Sequence, residues 1–254
     1  MGVRFSLVAP KRDNIYHYMF TDKKYTRIFI LRFIGNYLVL LSVFLIVKTF
    51  YAPIKSEINY FIDNTLIKKK YYVANSTSTV ATPPRDFKIP PKSQLASLFN
   101  IPQVESIVPV DSNFSVVIPK IAANAKVIAN VNAADDKEYL EQLKYGVAHA
   151  AGTYLPGQNG NIFLFAHSTD YVWNVGNYNA VFYLLYKLEP KDEVDVFYQG
   201  RRYVYEVTGK KVVKANEVEY LTKQGQSEML TLQTCWPPGT TIDRILVFAR
   251  PKVQ

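Results

Sequence analysis

The sequence predicts a mainly β protein, folded as a barrel or a sandwich, with a transmembrane helix before it. From about residue 107 onward, short runs rich in Val, Ile, Phe and Tyr alternate with turn signals. About seven such runs in one unit are typical of a barrel or a sandwich. The 15 Phe and 19 Tyr of the 254-residue chain also favour strands over a helical bundle.

The transmembrane helix is predicted from Ile28 to Tyr51, which reads IFILRFIGNYLVLLSVFLIVKTFY. About 20 apolar residues suffice to cross a hydrocarbon core of about 30 Å. The uncharged centre, Phe33 to Val47, is short, but Arg32 and Lys48 at its ends can extend toward the headgroups. No small-residue cleavage site follows, which favours an uncleaved anchor over a signal peptide or a buried core helix.

The net charge of +9 is explained largely by basic residues that precede or open this helix. Such a cluster is typical of a segment held in the cytoplasm, so the chain after the helix is predicted to lie outside the membrane. This explanation leaves little support for nucleic-acid binding. The basic residues are Arg4, Lys11, Arg12, Lys23, Lys24, Arg27 and Arg32.

We divide the chain into four segments. Residues 1–27 form a basic cytoplasmic tail and residues 28–51 the anchor helix. Residues 52–106 contain a juxtamembrane helix and then a linker rich in Ser, Thr and Pro, which is typical of an extended spacer. Residues 107–254 form the exported domain.

The juxtamembrane helix is predicted from apolar residues at helical spacing: Ile54, Ile58, Phe61 or Ile62, and Leu66. This apolar stripe is expected to lie against the bilayer or to pack on the exported domain. Within that domain, Asp135 to Gly146 predicts a short helix, and Tyr178 to Leu188 a second helix or a 3₁₀ turn. The strand-like runs are FSVVIP, AKVIANV, GNIFLFAH, DEVDVFYQ, RRYVYEVTGKKVV, EMLTLQTC and RILVFARP.

A single cysteine, Cys235, excludes an intrachain disulfide and a cysteine-rich zinc cluster. It ends the alternating run TLQTC and precedes a Pro-Pro-Gly loop, and Arg244 opens the next strand-like run. A thiol at a strand end is accessible to a substrate, and a nearby arginine favours the thiolate and stabilises an oxyanion. The local sequence fits a buried cysteine and a surface arginine equally well.

His167 ends the apolar run GNIFLFAH, also at the entrance of a loop. An imidazole there can protonate a leaving amine and deprotonate an incoming one, although a capping or core histidine would fit the position too. Of the other two histidines, His17 lies on the predicted cytoplasmic side and His149 is a rival base in the exported domain. The sequence contains no Walker loop, GxGxxG, HExxH or EF-hand loop, so no nucleotide, metal or cofactor site is predicted.

TLQTC followed by an arginine on the next strand resembles the sortase signature, and FAHS resembles the His-bearing strand end of that family. The resemblance covers about Phe114 to Pro251 and follows an N-terminal anchor of the expected type. It implies a closed β-barrel of about eight strands with short helices. Many sortases have Gly before the histidine where this chain has Ala166. The sortase class stays open between a D/E-like and a C-like type.

By this resemblance, the protein is a cysteine transpeptidase with Cys235, His167 and Arg244 as catalytic residues. The Cys235 thiolate attacks the scissile carbonyl of an LPxTG-like sorting signal and forms a thioester, and His167 protonates the departing amine. Arg244 stabilises the oxyanion or positions peptide carbonyls. The residues predicted to bind substrate are Thr234, Trp236 and Ala166, although Trp236 fits core packing equally well.

The implied partners are proteins with C-terminal sorting signals and an amine acceptor, from a cell-wall precursor or a pilin lysine. Membrane lipid surrounds the anchor, and the exchange of amide for thioester and back needs no cofactor. The positions of histidine and cysteine along the chain disagree with an L,D-transpeptidase and with a papain-like peptidase. A membrane-anchored β-domain that binds a wall polymer or a protein partner without catalysis is the remaining alternative.

Overall fold

The computed structural model describes residues 23–74, 94–99, 104–168, 180–222 and 227–252. The chain divides into two compact units, Met1–Ala52 and Pro53–Gln254, and each is described by itself. The predicted cytoplasmic tail lies outside the described residues, apart from its last few positions.

Helix α1 (Lys23–Phe61) contains the predicted anchor. Its part from Tyr25 to Tyr51 is long and apolar enough to cross a membrane, and none of it is buried inside the protein. Large apolar side chains exposed all around a helix are what a bilayer, rather than water, accommodates. The N-terminal apolar helix predicted from the sequence is therefore present as a candidate span.

In the second unit, α1 continues past Pro53 to Phe61 and leads into a π-helical turn, Ile62–Leu66. The apolar stripe of Ile54, Ile58, Phe61 and Leu66 is exposed. A different side chain, Tyr60, packs against the main core. The segment is helical, but its predicted stripe does not pack on the domain.

Two short strands, β1 (Lys70–Val73) and β2 (Val104–Ile107), pair in parallel as a small separate sheet. Val73 and Ile107 pack with Val117 and Phe197 of the domain. Helix α2 (Gln94–Leu98) lies between these strands in the chain. The rest of the predicted linker, residues 75–93, lies outside the described residues.

Eight strands close into a barrel, which confirms the predicted fold class. Around the barrel the strand order is β10-β8-β7-β3-β4-β5-β6-β9. The strands are β3 (Phe114–Ile118), β4 (Ala123–Val131), β5 (Val147–Ala150), β6 (Asn161–Phe165), β7 (Glu193–Tyr198), β8 (Arg201–Lys214), β9 (Met229–Trp236) and β10 (Asp243–Pro251).

Of the adjacent strand pairs in the barrel, β4 with β5 and β6 with β9 are parallel. The other adjacent pairs are antiparallel. The β4–β5 crossover carries helix α3 (Asp136–Gln142), whose N-cap Asp135 accepts hydrogen bonds from two backbone N–H groups. Helix α4 (Glu219–Thr222) precedes β9 in the chain. The 3₁₀ turns are Pro119–Ile121 and Leu185–Lys187, and the latter falls within the second predicted helix.

Successive side chains of β6 alternate between two packed clusters. Ile162 and Leu164 belong to the main core, whereas Phe163 and Phe165 belong to a second cluster with Leu143, which follows α3. The second cluster lies on the outer face of the barrel, between the sheet and α3. This outer face is where the candidate site is found.

Candidate active site

Cys235 is the penultimate residue of β9, and Arg244 on β10 is its direct cross-strand partner. Directly paired residues of antiparallel strands project from the same face of a sheet. The same register pairs Gln233 with Leu246 of the outer cluster, so Cys235 and Arg244 share the outer face. The thiol is free and half-buried.

His167 follows β6 by two residues, and hydrogen bonds extend the contact between β6 and β9 as far as the residue before it. Phe165 pairs with Gln233 in parallel. Beyond this pair, the Ala166 N–H donates to the Gln233 carbonyl at 3.1 Å, and the Thr234 hydroxyl donates to the Ala166 carbonyl at 2.8 Å. A continuation of this register would pair His167 with Cys235, in keeping with the cavity that both residues line.

One cavity of about 300 Å³ is lined by Cys235, His167 and Arg244 together. Thr234 and Ala166 also line it, as two of the three predicted substrate-binding residues. The remaining wall is mostly apolar and comes from α3, the outer face of β6 and the segment around α4. Its apolar residues include Ala133, Leu140, Leu143, Phe163, Phe165, Val218 and Leu221. A cavity that combines apolar side chains with several polar groups suits a peptide substrate.

The third predicted binding residue, Trp236, is not among the described residues that line this cavity. As the next residue on β9, it projects from the opposite face of the strand. There it packs against the main core, and its ring lies 5.2 Å from that of Tyr186.

The electrostatics of Cys235 combine two opposed effects. Burial raises the pKa of the thiol, because the low-dielectric surroundings disfavour the thiolate. The Arg244 guanidinium lowers that pKa, but by less. Arg244 is held by two hydrogen bonds from Nη1 to the carbonyls of Thr241 and Asp243, each 3.0 Å. A fixed cation therefore stands where a thiolate or an oxyanion would form.

Tyr139 on α3 is a cavity residue to which the sequence analysis assigned no role. Its ring lies edge-on to that of Phe165 at 6.1 Å. Burial and the Asp136 carboxylate raise the pKa of its phenol, and the charges of Arg244 and Cys235 also act on it. The only sequence signal was its position within the short predicted helix.

His149, the rival base, lies on β5 and is fully buried. Its Nδ1 accepts a hydrogen bond from the Asn130 N–H at 3.3 Å, so the proton is on Nε2, which donates to the Tyr154 carbonyl at 2.9 Å. Burial lowers the pKa of this imidazole. His149 does not line the cavity, and its contacts are those of a neutral structural histidine.

Within the described part of the chain, no group of three or more His, Cys, Asp or Glu residues could hold a metal ion. The ionisable groups that line the cavity are the Cys235 thiol, an imidazole, a guanidinium, the Tyr139 phenol and the carboxylates of Asp136 and Glu217.

A family model for the sortase domain matches residues 116–252, more than half of the chain. The chain therefore belongs to the sortase family, whose members are cysteine transpeptidases.

Sortase D of Bacillus subtilis (strain 168) is 29% identical over 136 residues. These residues are 52% of this chain and only 60% of that relative's length. Sortase C1 of GBS Pilus Island 1 is 27% identical, with a TM-score of 0.47 over 56% of this chain and 64% of that one. The sortase D5 transpeptidase of Clostridium perfringens is 23% identical, with a TM-score of 0.46 over 56% of this chain and 80% of that one.

Proposed function

We propose that this protein is a membrane-anchored sortase that cleaves an LPxTG-like sorting signal and transfers the new acyl end to an amine. The observation that carries the proposal is that Cys235 and Arg244, on consecutive strands, line one cavity with His167, which is distant from both in the sequence. A nucleophile, a proton carrier and an oxyanion-stabilising cation are the groups that acyl transfer needs. A wall-binding domain without catalysis would not require this combination.

In the first half of the reaction, with Cys235 as the thiolate and His167 protonated, the sulfur attacks the carbonyl carbon of the scissile amide, and the oxyanion forms near Arg244. The C–N bond then breaks, His167 gives its proton to the departing amine, and an acyl-enzyme thioester remains. In the second half, an incoming amine loses a proton to His167 and attacks the thioester. The thiolate leaves, and a new amide is released. The overall reaction exchanges one amide bond for another of similar energy. It therefore requires no cofactor.

The Thr234 hydroxyl donates to the Ala166 carbonyl and so joins the two strand ends that carry Cys235 and His167. We assign Thr234 and Ala166 to substrate binding, because both line the same cavity as the thiol and the imidazole. The acceptor is a cell-wall precursor amine or a pilin lysine. The basic N-terminus lies in the cytoplasm and the barrel outside the membrane, in keeping with the positive charge before the span.

The proposal is tested with the full chain in detergent micelles, incubated with a panel of sorting-signal peptides. The amines offered are oligoglycine, a lysine peptide and a diaminopimelate-containing stem peptide, and products are read by mass spectrometry. We expect cleavage within one signal and ligation to one amine. Cys235→Ala and His167→Ala should abolish both, and Arg244→Ala should slow them about 100-fold or more.

Arg250→Ala is the matched control, because Arg250 is an exposed arginine on the same strand as Arg244. It should leave both rates unchanged. Cleavage that survives in Cys235→Ala, or no cleavage of any signal by the unmodified chain, contradicts the proposed function.

A further inference from the structure

Trp236 connects the end of β9, which carries Cys235, to the 3₁₀ turn Leu185–Lys187. It is adjacent to Cys235 in β9, is half-buried, and is in the last residue pair between β9 and β10, opposite Asp243. Its ring lies 5.2 Å from the Tyr186 ring at an angle of 51°. The cavity lies on one face of this strand end, and the Trp236–Tyr186 contact lies on the other.

Tyr186, in turn, is held by the juxtamembrane part of α1. Its hydroxyl donates a hydrogen bond to Glu57 Oε1, and Lys187 Nζ lies 3.2 Å from Glu57 Oε2. The Lys187 ammonium also lies over two rings, at 4.9 Å from the centre of Tyr186 and 5.2 Å from that of Tyr60. Glu57 therefore joins helix α1 to the 3₁₀ turn that supports Trp236.

We propose that Glu57 is a positioning residue for the reaction. It fixes Tyr186, Tyr186 fixes the Trp236 ring, and the Trp236 ring sets the position of the Cys235 sulfur in the cavity. The role of Cys235 in this inference rests on the proposed function, but the chain of contacts does not.

The energies favour a positioning role over a purely stabilising one. The Glu57–Lys187 pair is about one-third exposed on each side, and ion pairs that water reaches contribute little to stability. Loss of Glu57 should therefore leave the barrel folded. A displaced catalytic group, by contrast, can lower a rate by about 100-fold for a shift of about 1 Å. Loss of the Glu57 contact should therefore affect the position of the Cys235 sulfur, and with it the rate, more than the stability of the barrel.

The test uses the full chain with Trp173→Phe, which leaves Trp236 as the single tryptophan. Glu57→Ala and Tyr186→Phe each remove the hydrogen bond, and Tyr186→Phe keeps the ring. Three quantities are measured: the emission of Trp236, the rate at which iodoacetamide alkylates Cys235, and kcat and KM for peptide cleavage. The melting temperature is recorded for every variant.

We expect both variants to shift the Trp236 emission, to change the alkylation rate by several-fold and to lower kcat about tenfold with little change in KM. Their effects should not add in the double variant, because both break one bond. Glu57→Gln keeps an oxygen acceptor for the Tyr186 hydroxyl and should recover most of the emission and of kcat.

Glu105→Ala is the matched control, because it removes another ion pair of the same unit, with Lys69. It should leave emission, alkylation and kcat unchanged. The proposal is overturned if Glu57→Ala and Tyr186→Phe leave both emission and alkylation unchanged, or if the control moves them equally. An inactive parent chain would defeat the proposed function alone, since emission and alkylation still decide whether Glu57 positions the strand end.

Discussion

The protonation of Cys235 sets how fast its thiol can react. The thiolate is the nucleophile, and burial raises the pKa of this thiol more than Arg244 lowers it. Most molecules therefore hold a neutral thiol near neutral pH. The thiolate fraction rises with pH, because the thiolate is the deprotonated form, and burial moves that rise to higher pH.

We predict that the rate of Cys235 alkylation by iodoacetamide rises continuously from pH 6 to pH 9. Arg244→Ala removes the charge that lowers the thiol pKa, so its profile should shift to higher pH, and Arg250→Ala should not shift it. Stopped assays at a series of pH values, with labelled protein counted by intact mass, measure both profiles. A plateau below pH 7, or a shift to lower pH in Arg244→Ala, would contradict this electrostatic account.

Three of the cavity residues could be predicted from the sequence because each stands at the end of a recognisable strand. His167 and Cys235 close apolar runs, and Arg244 opens one, but the local sequence fits buried residues as well, and the resemblance to sortases decided between the two. Tyr139 could not be predicted, because its role depends on which face of α3 lies over β6. For Trp236 the sequence fitted substrate binding and core packing equally well. Only the register of β9 shows which face of the strand it occupies.

Among the eight strands of the barrel, β5 is the one that the sequence did not predict. It reads Val147–Ala150, and alanine has a low preference for strands. The tertiary structure makes it a strand, since Val147 pairs with Val127 on one side and Ala148 with Phe165 on the other. Non-local pairing of this kind leaves no trace in a short local window.

Gly146, just before β5, permits a close approach to β4. A Cβ built on it would lie 2.3 Å from the backbone oxygen of Lys126, which cannot rotate away. We predict that Gly146→Ala destabilises the protein by about 1–3 kcal/mol, as overpacking in a core does. Gly209→Ala on β8 is the control, since a Cβ there has no neighbour within 4 Å. Chemical unfolding curves for both variants measure the difference, and equal stabilities would contradict the close approach.

The juxtamembrane helix shows what periodicity can and cannot predict. The spacing of Ile54, Ile58 and Leu66 predicted a helix, and the segment is helical. The stripe itself is exposed, and the contacts with the domain come from Glu57 and Tyr60 on other positions of the helix. Tyrosine and glutamate at helical spacing are not distinctive in sequence. The face of this helix that packs on the domain could therefore not be predicted.

For the whole molecule, alternation of apolar and polar residues was enough to predict a β class but not its closure. Barrel and sandwich share the same local pattern. Closure depends on pairs such as β10 with β8 and β6 with β9, whose partners lie far apart in the chain. The resemblance to sortases implied a closed barrel, and the structure confirms it.

The single cysteine makes the membrane orientation directly measurable. If the barrel lies outside the membrane, a membrane-impermeant maleimide should label Cys235 on intact cells, since it is half-buried and lines an open-sided cavity. Gel-shift or mass detection of the label gives the answer, and Cys235→Ala is the blank. Labelling that requires permeabilised cells would place the barrel in the cytoplasm and refute the proposed orientation.

The central claim is that the Cys235 sulfur becomes acylated by a sorting signal. Its most direct test is the intact mass of the full chain after incubation with an intact sorting peptide in the absence of any amine acceptor, followed by peptide mapping. We predict a mass increase equal to the acyl fragment, located on Cys235, removed by hydroxylamine and absent from Cys235→Ala. A cleaved peptide with no adduct on Cys235, or an adduct that persists in Cys235→Ala, would contradict the account.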